Sequence, residues 1–161
     1  MDWLLLRGLA REQRHFGDFP ATFQRRVPGA RVHTLDLPGF GDQAARTSPT
    51  SVEDIVDDLR ARAFVDAPHG APRAVVAQSL GAMAALCWAA KYPDDFAGVV
   101  AVNTSSADLS PPWQRFSLAV ATRLPKLLLA PPLARERAIL SFTSNRSAEE
   151  NEPIAKDWAR W

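Results

Sequence analysis

The chain has 161 residues, 47% of them hydrophobic, which is enough for one domain with a substantial core. Its net charge of +1 and its scattered arginines give no electrostatic reason to expect a nucleic-acid partner. The single cysteine, Cys87, excludes an internal disulfide. No signal peptide is recognisable, and no apolar run approaches the roughly 20 residues needed to cross a bilayer. Composition therefore predicts a soluble cytoplasmic protein with no membrane partner.

Four short apolar runs bounded by turn residues predict strands. They cover residues 1–7, 30–35, 73–78 and 96–103. Between them, residues 18–27 and 52–63 carry apolar side chains at helical spacing, and Thr50 with Glu53 has the spacing of a capping box before the second helix. A third helix is predicted over residues 80–92.

This alternation of strands and helices predicts an α/β fold, with a mostly parallel sheet and helices on both faces. After residue 103 the pattern changes to amphipathic helical pieces, including a helix over residues 133–142. We therefore divide the chain into a core, residues 1–106, and a helical segment, residues 107–161.

The last helix is predicted from a capping box at Ser147 and Glu150, with Pro153 in its first turn. It would bury three large side chains: Ile154, Trp158 and Trp161. Because Trp161 ends the chain within this apolar pattern and without a C-cap, we expect the sequence to be truncated.

The pentapeptide Ala77-Gln78-Ser79-Leu80-Gly81 lies between the third strand and its helix. It is a near match to the G-x-S-x-G nucleophile elbow, with alanine in place of the first glycine. A serine on such a tight turn needs small residues two positions before and after it. The alternative is that Ser79 only caps the helix that begins at Leu80.

Four features in a fixed order resemble the alpha/beta-hydrolase superfamily. They are a strand ending in Arg7-Gly8-Leu9, a second strand ending in Asp-Leu-Pro-Gly-Phe-Gly, the elbow, and a helical region after the next strand. The resemblance covers nearly the whole chain. It implies a truncated alpha/beta-hydrolase fold in which residues 107–161 belong to a helical cap or lid over the active site.

The resemblance also implies catalytic roles. Ser79 matches the nucleophile, which forms an acyl-enzyme, and the backbone N–H of Leu80 matches one donor of the oxyanion hole. Arg7 stands where the family usually has histidine, so the N–H of Leu9 is the candidate second donor; alternatively, Gly8 and Leu9 form only a turn. Asp36 matches a position that organises its own loop.

Four residues are candidates for substrate binding: Gly8, Phe40, Trp113 and Phe116. The three aromatic residues are equally well explained as ordinary core and lid side chains. The resemblance implies neither a cofactor nor a metal, and the expected substrate is a small acyl ester.

A catalytic histidine should follow Ser79, because the family triad runs Ser, Asp or Glu, then His along the chain. All three histidines, His15, His33 and His69, precede it. Asp108 is a candidate acid, although a turn or capping role explains it better. We therefore predict little or no hydrolase activity for these 161 residues.

The leading interpretation is thus a serine hydrolase acting on carboxylic (acyl) esters. The alternatives are a non-catalytic hydrolase-like binding or interaction protein that keeps the pocket, and an α/β domain whose serine only caps a helix. The fourth strand would form an exposed apolar edge of the sheet, which predicts self-association.

Overall fold

The computed structural model describes residues 1–66, 70–106, 111, 127 and 129–160. Five residues singled out in the sequence lie outside these ranges: His69, Asp108, Trp113, Phe116 and Trp161. Contacts divide the chain into two compact units, Met1–Ser106 and Ala107–Trp161. None of the helices in the described ranges is long and apolar enough to span a membrane.

The first unit is built on a parallel sheet, which confirms the predicted fold class. Its strands are β1 (Asp2–Leu6), β2 (Arg31–Leu35), β3 (Arg73–Gln78) and β4 (Gly98–Val102). They lie in the order β2-β1-β3-β4, and every neighbouring pair is parallel.

β1 lies in the middle of the sheet, and its side chains Leu4, Leu5 and Leu6 are completely buried. A central parallel strand has both faces covered, which explains its uninterrupted apolar run. Leu6 pairs with Leu35 of β2 and with Ala77 of β3, so these strands end at the same level. The loops that leave them therefore meet at the carboxyl edge of the sheet.

The helices of the first unit are α1 (Phe19–Arg26), α2 (Val52–Arg62) and α3 (Leu80–Lys91). Two short 3-10 turns lie in the loops, at Gln13–Phe16 and Gly41–Gln43. α3 buries Ala82, Ala84, Ala85 and Trp88. Its small side chains suit close packing against the sheet.

The cap of α2 differs by one residue from the predicted one. Ser51 has extended backbone angles, φ −110° and ψ 150°, and its side chain accepts a hydrogen bond from the N–H of Asp54. Thr50 is therefore not the capping residue, because the helix begins one position later than the capping-box spacing indicated.

The second unit contains α4 (Pro132–Thr143) and α5 (Ala148–Trp158). The capping box is confirmed, since Ser147 and Glu150 each accept a hydrogen bond from the other's backbone N–H. Pro153 is inside α5 and not in its first turn, because the helix already begins at Ala148.

The buried side chains of α5 also differ from the prediction. Asn151 and Ala155 are buried, whereas Ile154 and Trp158 are only partly buried. An ion pair between Arg137 and Glu152 links α4 to α5, with Nε 2.8 Å from Oε2.

Candidate active site

Ser79 lies at the junction of β3 and α3 in a backbone conformation that non-glycine residues rarely adopt, with φ 53° and ψ −121°. Such a residue costs roughly 1–3 kcal/mol and persists only where its surroundings hold it. Here its N–H donates to the carbonyl of Val102 at 3.0 Å, and its carbonyl accepts from Ala82 and Met83. The strained turn leaves Ser79 exposed at the carboxyl edge of the sheet.

The geometry of Ser79 disfavours a helix-capping role. Its side chain makes no capping hydrogen bond to the first turn of α3. Its positive φ also differs from the extended backbone that capping serines typically adopt. The hydroxyl group is therefore not committed to the helix that follows it.

Two glycines leave space around this turn. A Cβ at Gly8 would lie 2.8 Å from Ser79 Cβ and 3.3 Å from its Oγ, so the loop after β1 packs directly against the serine. A Cβ at Gly81 would overlap the carbonyl oxygen of Arg7. The small residue two positions before the serine, Ala77, is 1% exposed. The elbow thus needs small residues where the sequence has them.

Thr104 supports the elbow, a role that sequence reasoning missed. Its hydroxyl donates to the carbonyl oxygen of Ser79 at 3.0 Å. The only available signal was its position shortly after β4, which the parallel sheet places beside the end of β3.

The candidate oxyanion donors lie on two elements of this edge. Leu80 is the first residue of α3, so its N–H has no acceptor within the helix. Leu9 follows Gly8 and is 65% exposed. Within the described part of the chain, neither N–H has a backbone acceptor outside the regular elements. Both groups remain candidates for binding a negatively charged oxygen.

Asp36 joins the loops that follow β1 and β2. Its buried carboxylate accepts from the Gln13 N–H at 2.6 Å and from the Asp42 N–H at 2.9 Å. A Cβ at Gly41, where φ is +52°, would overlap this carboxylate. Asp36 therefore has the loop-organising contacts that the family resemblance implied.

The two described histidines have structural contacts. His33 Nε2 lies 2.9 Å from Asp2 Oδ1. Asp2 begins β1, so this contact is at the amino edge of the sheet, whereas Ser79 is at the carboxyl edge. His15 Nδ1 accepts from the N–H of Glu12 at 3.1 Å, at the start of the Gln13–Phe16 turn. The contact with Asp2 therefore places His33 at the edge of the sheet away from Ser79.

Arg7, the first residue after β1, carries a positive charge, and its backbone lies against the elbow. The side chain of Arg7 is partly buried, and its guanidinium is stacked over Phe16, 5.2 Å from the ring centre. Burial, together with the positive charge of Arg11, lowers the pKa of Arg7 to about 10, so the group stays charged at neutral pH.

The remaining candidates are not placed in a binding site. Phe40 is partly buried and packs against the core of the first unit. Asp108, Trp113 and Phe116 lie outside the described residues. Among the residues that are described, no group of three or more His, Cys, Asp or Glu side chains is arranged to hold a metal ion.

Residues 5–160 match the family described as alpha/beta hydrolase fold. The chain therefore belongs to the alpha/beta hydrolase family, as the order of strand, loop, elbow and helix indicated.

Among known proteins, the chain is similar to a pimeloyl-(acyl-carrier protein) methyl ester esterase of Chromobacterium violaceum. The two are 36% identical over 91 residues, which cover 56% of this chain and 33% of that esterase. The chain thus spans about a third of the length of this curated relative.

Two solved structures share the fold. The thioesterase domain from the curacin biosynthetic pathway has a TM-score of 0.61 and 19% identity, over 96% of this chain and 56% of its own. Potato (Solanum tuberosum) epoxide hydrolase I has a TM-score of 0.57 and 21% identity, over 76% of this chain and 38% of its own.

Proposed function

We propose that this chain carries the nucleophile of a serine hydrolase that acts on small carboxylic (acyl) esters. The strained, exposed backbone of Ser79, with Gly8 and Gly81 packed around it, is the observation that carries this proposal. A hydroxyl held in this way attacks an acyl carbonyl to form an acyl-enzyme. The similarity to a methyl ester esterase supports an ester as the substrate class.

The backbone N–H groups of Leu80 and Leu9 would stabilise the negative oxygen that forms during this attack. Each correctly placed donor contributes roughly 3 kcal/mol to transition-state stabilisation. The attack itself still requires a base that accepts the proton of Ser79.

We further propose that the 161-residue chain has little or no activity of its own. No histidine follows Ser79 in the sequence, and His33 is paired with Asp2 at the opposite edge of the sheet. Without a base, a serine hydroxyl is a poor nucleophile at neutral pH. Loss of triad function typically lowers the rate by several powers of ten.

Labelling with a fluorophosphonate probe tests this function, with the modified residue located by mass spectrometry. We expect slow labelling confined to Ser79 and accelerated by added imidazole, which supplies the missing base. Ser79→Ala should abolish the labelling, whereas Ser105→Ala, in the loop after β4, should retain it. Labelling that persists in Ser79→Ala contradicts the assignment of Ser79 as the nucleophile. Rapid labelling of the wild-type chain without imidazole contradicts the predicted inactivity.

The alternative is a hydrolase-like protein that binds a ligand without catalysis. Arg7, which stands where the family usually has histidine beside the oxyanion hole, is the departure from the family pattern that favours it. In that case Ser79 should resist the probe even with imidazole present. The labelling experiment therefore separates the two functions.

A further inference from the structure

The backbone of Arg7 lies against the elbow that carries Ser79. It follows β1 directly and precedes Gly8, which packs against Ser79. Its own carbonyl oxygen lies against Gly81, on the other side of the same turn. The backbone of Arg7 thus forms one wall of the elbow.

The charge of Arg7 has no carboxylate partner among the described residues. Its Nε is buried without a hydrogen-bond acceptor. By contrast, Arg14 is paired with Asp42 at 3.0 Å and Arg31 with Asp2 at 2.7 Å. Arg73 also has a buried Nε without an acceptor, but it lies at the start of β3, far from the elbow. A buried guanidinium N–H without an acceptor is costly, so the position of Arg7 favours an added anion.

The side chain of Phe16 strengthens this preference. The ring of Phe16 supports one face of the guanidinium, which limits its rotation. A guanidinium held in this way binds a planar carboxylate through paired N–H donors better than a flexible ammonium group does.

We propose that Arg7 is a carboxylate-binding position at the border of the active site, and that the ester substrate carries a carboxylate in addition to its ester. This inference rests on the proposed function for its choice of ester substrates. The binding itself requires no reaction at Ser79.

A matched pair of ligands tests the proposal by equilibrium binding, measured by calorimetry or ligand-observed NMR. Monomethyl glutarate carries an ester and a carboxylate, and the methyl ester of glutaramic acid replaces that carboxylate by a neutral amide. We expect the wild-type chain to bind the carboxylate about tenfold more tightly, a typical gain for one charge-assisted pair. Equal binding of the two ligands overturns the proposal without the use of any variant.

Variants then locate the position on the chain. Arg7→Met keeps an unbranched stem and should abolish the preference for the carboxylate, while Arg7→Lys keeps the charge and should retain part of it. Arg14→Met is the control, because Arg14 lies on the same loop and is already paired with Asp42. A loss in Arg14→Met as large as that in Arg7→Met contradicts the assignment to Arg7.

Acetate, which has a carboxylate but no ester, separates a substrate site from a general anion site. If the ester end also occupies the active site, monomethyl glutarate should bind more tightly than acetate and should slow the labelling of Ser79. Equal affinity for acetate and monomethyl glutarate would mean binding of a free anion only, and it would contradict the substrate role. Labelling of Ser79 by the fluorophosphonate probe alone tests the proposed function, so the two failures remain distinguishable.

Discussion

At Gly81 the turn between β3 and α3 has room for a hydrogen atom and for little else. An added Cβ would overlap the carbonyl oxygen of Arg7 and would lie 3.0 Å from Leu6 Cβ. These contacts involve Leu6, the last residue of β1, and the backbone of Arg7, which follows it directly. Neither can move without disturbing the end of a strand in the middle of the sheet. The steric requirement at this position therefore comes from a strand that is distant in sequence.

We expect Gly81→Ala to lower the free energy of unfolding by about 1–3 kcal/mol, the usual cost of overpacking. It should also slow the labelling of Ser79, because the turn must shift. Gly98→Ala is the control: no atom lies within 4 Å of its added Cβ, and we expect a change within about 0.5 kcal/mol. Chemical denaturation measures both, and equal effects of the two substitutions would contradict this account.

Asp2 makes the stability of the first unit depend on pH. Its side chain is completely buried and accepts hydrogen bonds from Arg31 Nε at 2.8 Å and from Arg31 Nη2. The hydrogen bonds of Arg31 hold the pKa of Asp2 well below its usual range, with a smaller contribution from His33. The folded state thus favours the charged carboxylate more than the unfolded state does.

Because the folded pKa is the lower one, this stabilisation is present above an unfolded pKa of about 3.9 and is lost as the pH falls below it. We expect Asp2→Asn to be less stable at neutral pH and to lose less stability than the wild type under acid conditions. Urea denaturation at several pH values measures this. Asp157→Asn is the control, because it removes only an exposed ion pair in which Asp157 lies 3.9 Å from Arg160. Its free energy of unfolding should vary with pH as that of the wild type does. If the free energy of unfolding of Asp2→Asn also varied with pH as the wild type's does, the role of Asp2 would be refuted.

At the scale of single elements, the predicted and the observed capping residue of α2 differ by one position. Thr50 and Ser51 are neighbours and both can cap a helix, and the pattern favoured Thr50 through its spacing to Glu53. In the structure the side chain of Ser51 accepts from the Asp54 N–H at 3.1 Å. One residue of register decides which hydroxyl satisfies an otherwise unpaired N–H.

We expect Ser51→Ala to lower the free energy of unfolding by about 1 kcal/mol, the usual cost of losing a cap. Thr50→Ala, one position away, should change it by less than about 0.5 kcal/mol. Denaturation followed by circular dichroism compares the two. A larger loss in Thr50→Ala would return the capping role to Thr50.

At the scale of the whole molecule, β4 is the outer strand of the sheet in the described part of the chain. It pairs with β3 on one side, and Val100 and Val102 are 47% and 40% exposed. The strand carries neither a charge nor a proline, which are the features that usually protect such an edge. We propose that the chain self-associates through this edge.

Val100→Lys should reduce this association, because it places a charge on the exposed strand. Val65→Lys is the matched control, since Val65 is 76% exposed and lies outside the strands. Sedimentation velocity over a range of concentrations measures the effect. A wild-type chain that stays monomeric and unfolds cooperatively would rule the proposal out.

The sequence by itself determined the elements and their order. The strand predicted over residues 73–78 coincides with β3, and the capping box at Ser147 is confirmed. These features depend on residues a few positions apart, so the periodicity and the spacing of local hydrogen-bonding groups are sufficient to indicate them. The same locality explains why the elbow pentapeptide could be recognised before any fold was known.

Only the tertiary structure decided how those elements act on one another. It brought Gly8 against Ser79, placed the Thr104 hydroxyl on the Ser79 carbonyl, and left Arg7 beside the elbow without a carboxylate among the described residues. Each of these contacts joins residues far apart in the chain through the alignment of parallel strands. Periodicity carries no information about such contacts, because it records which side of an element is buried and not which residue lies opposite.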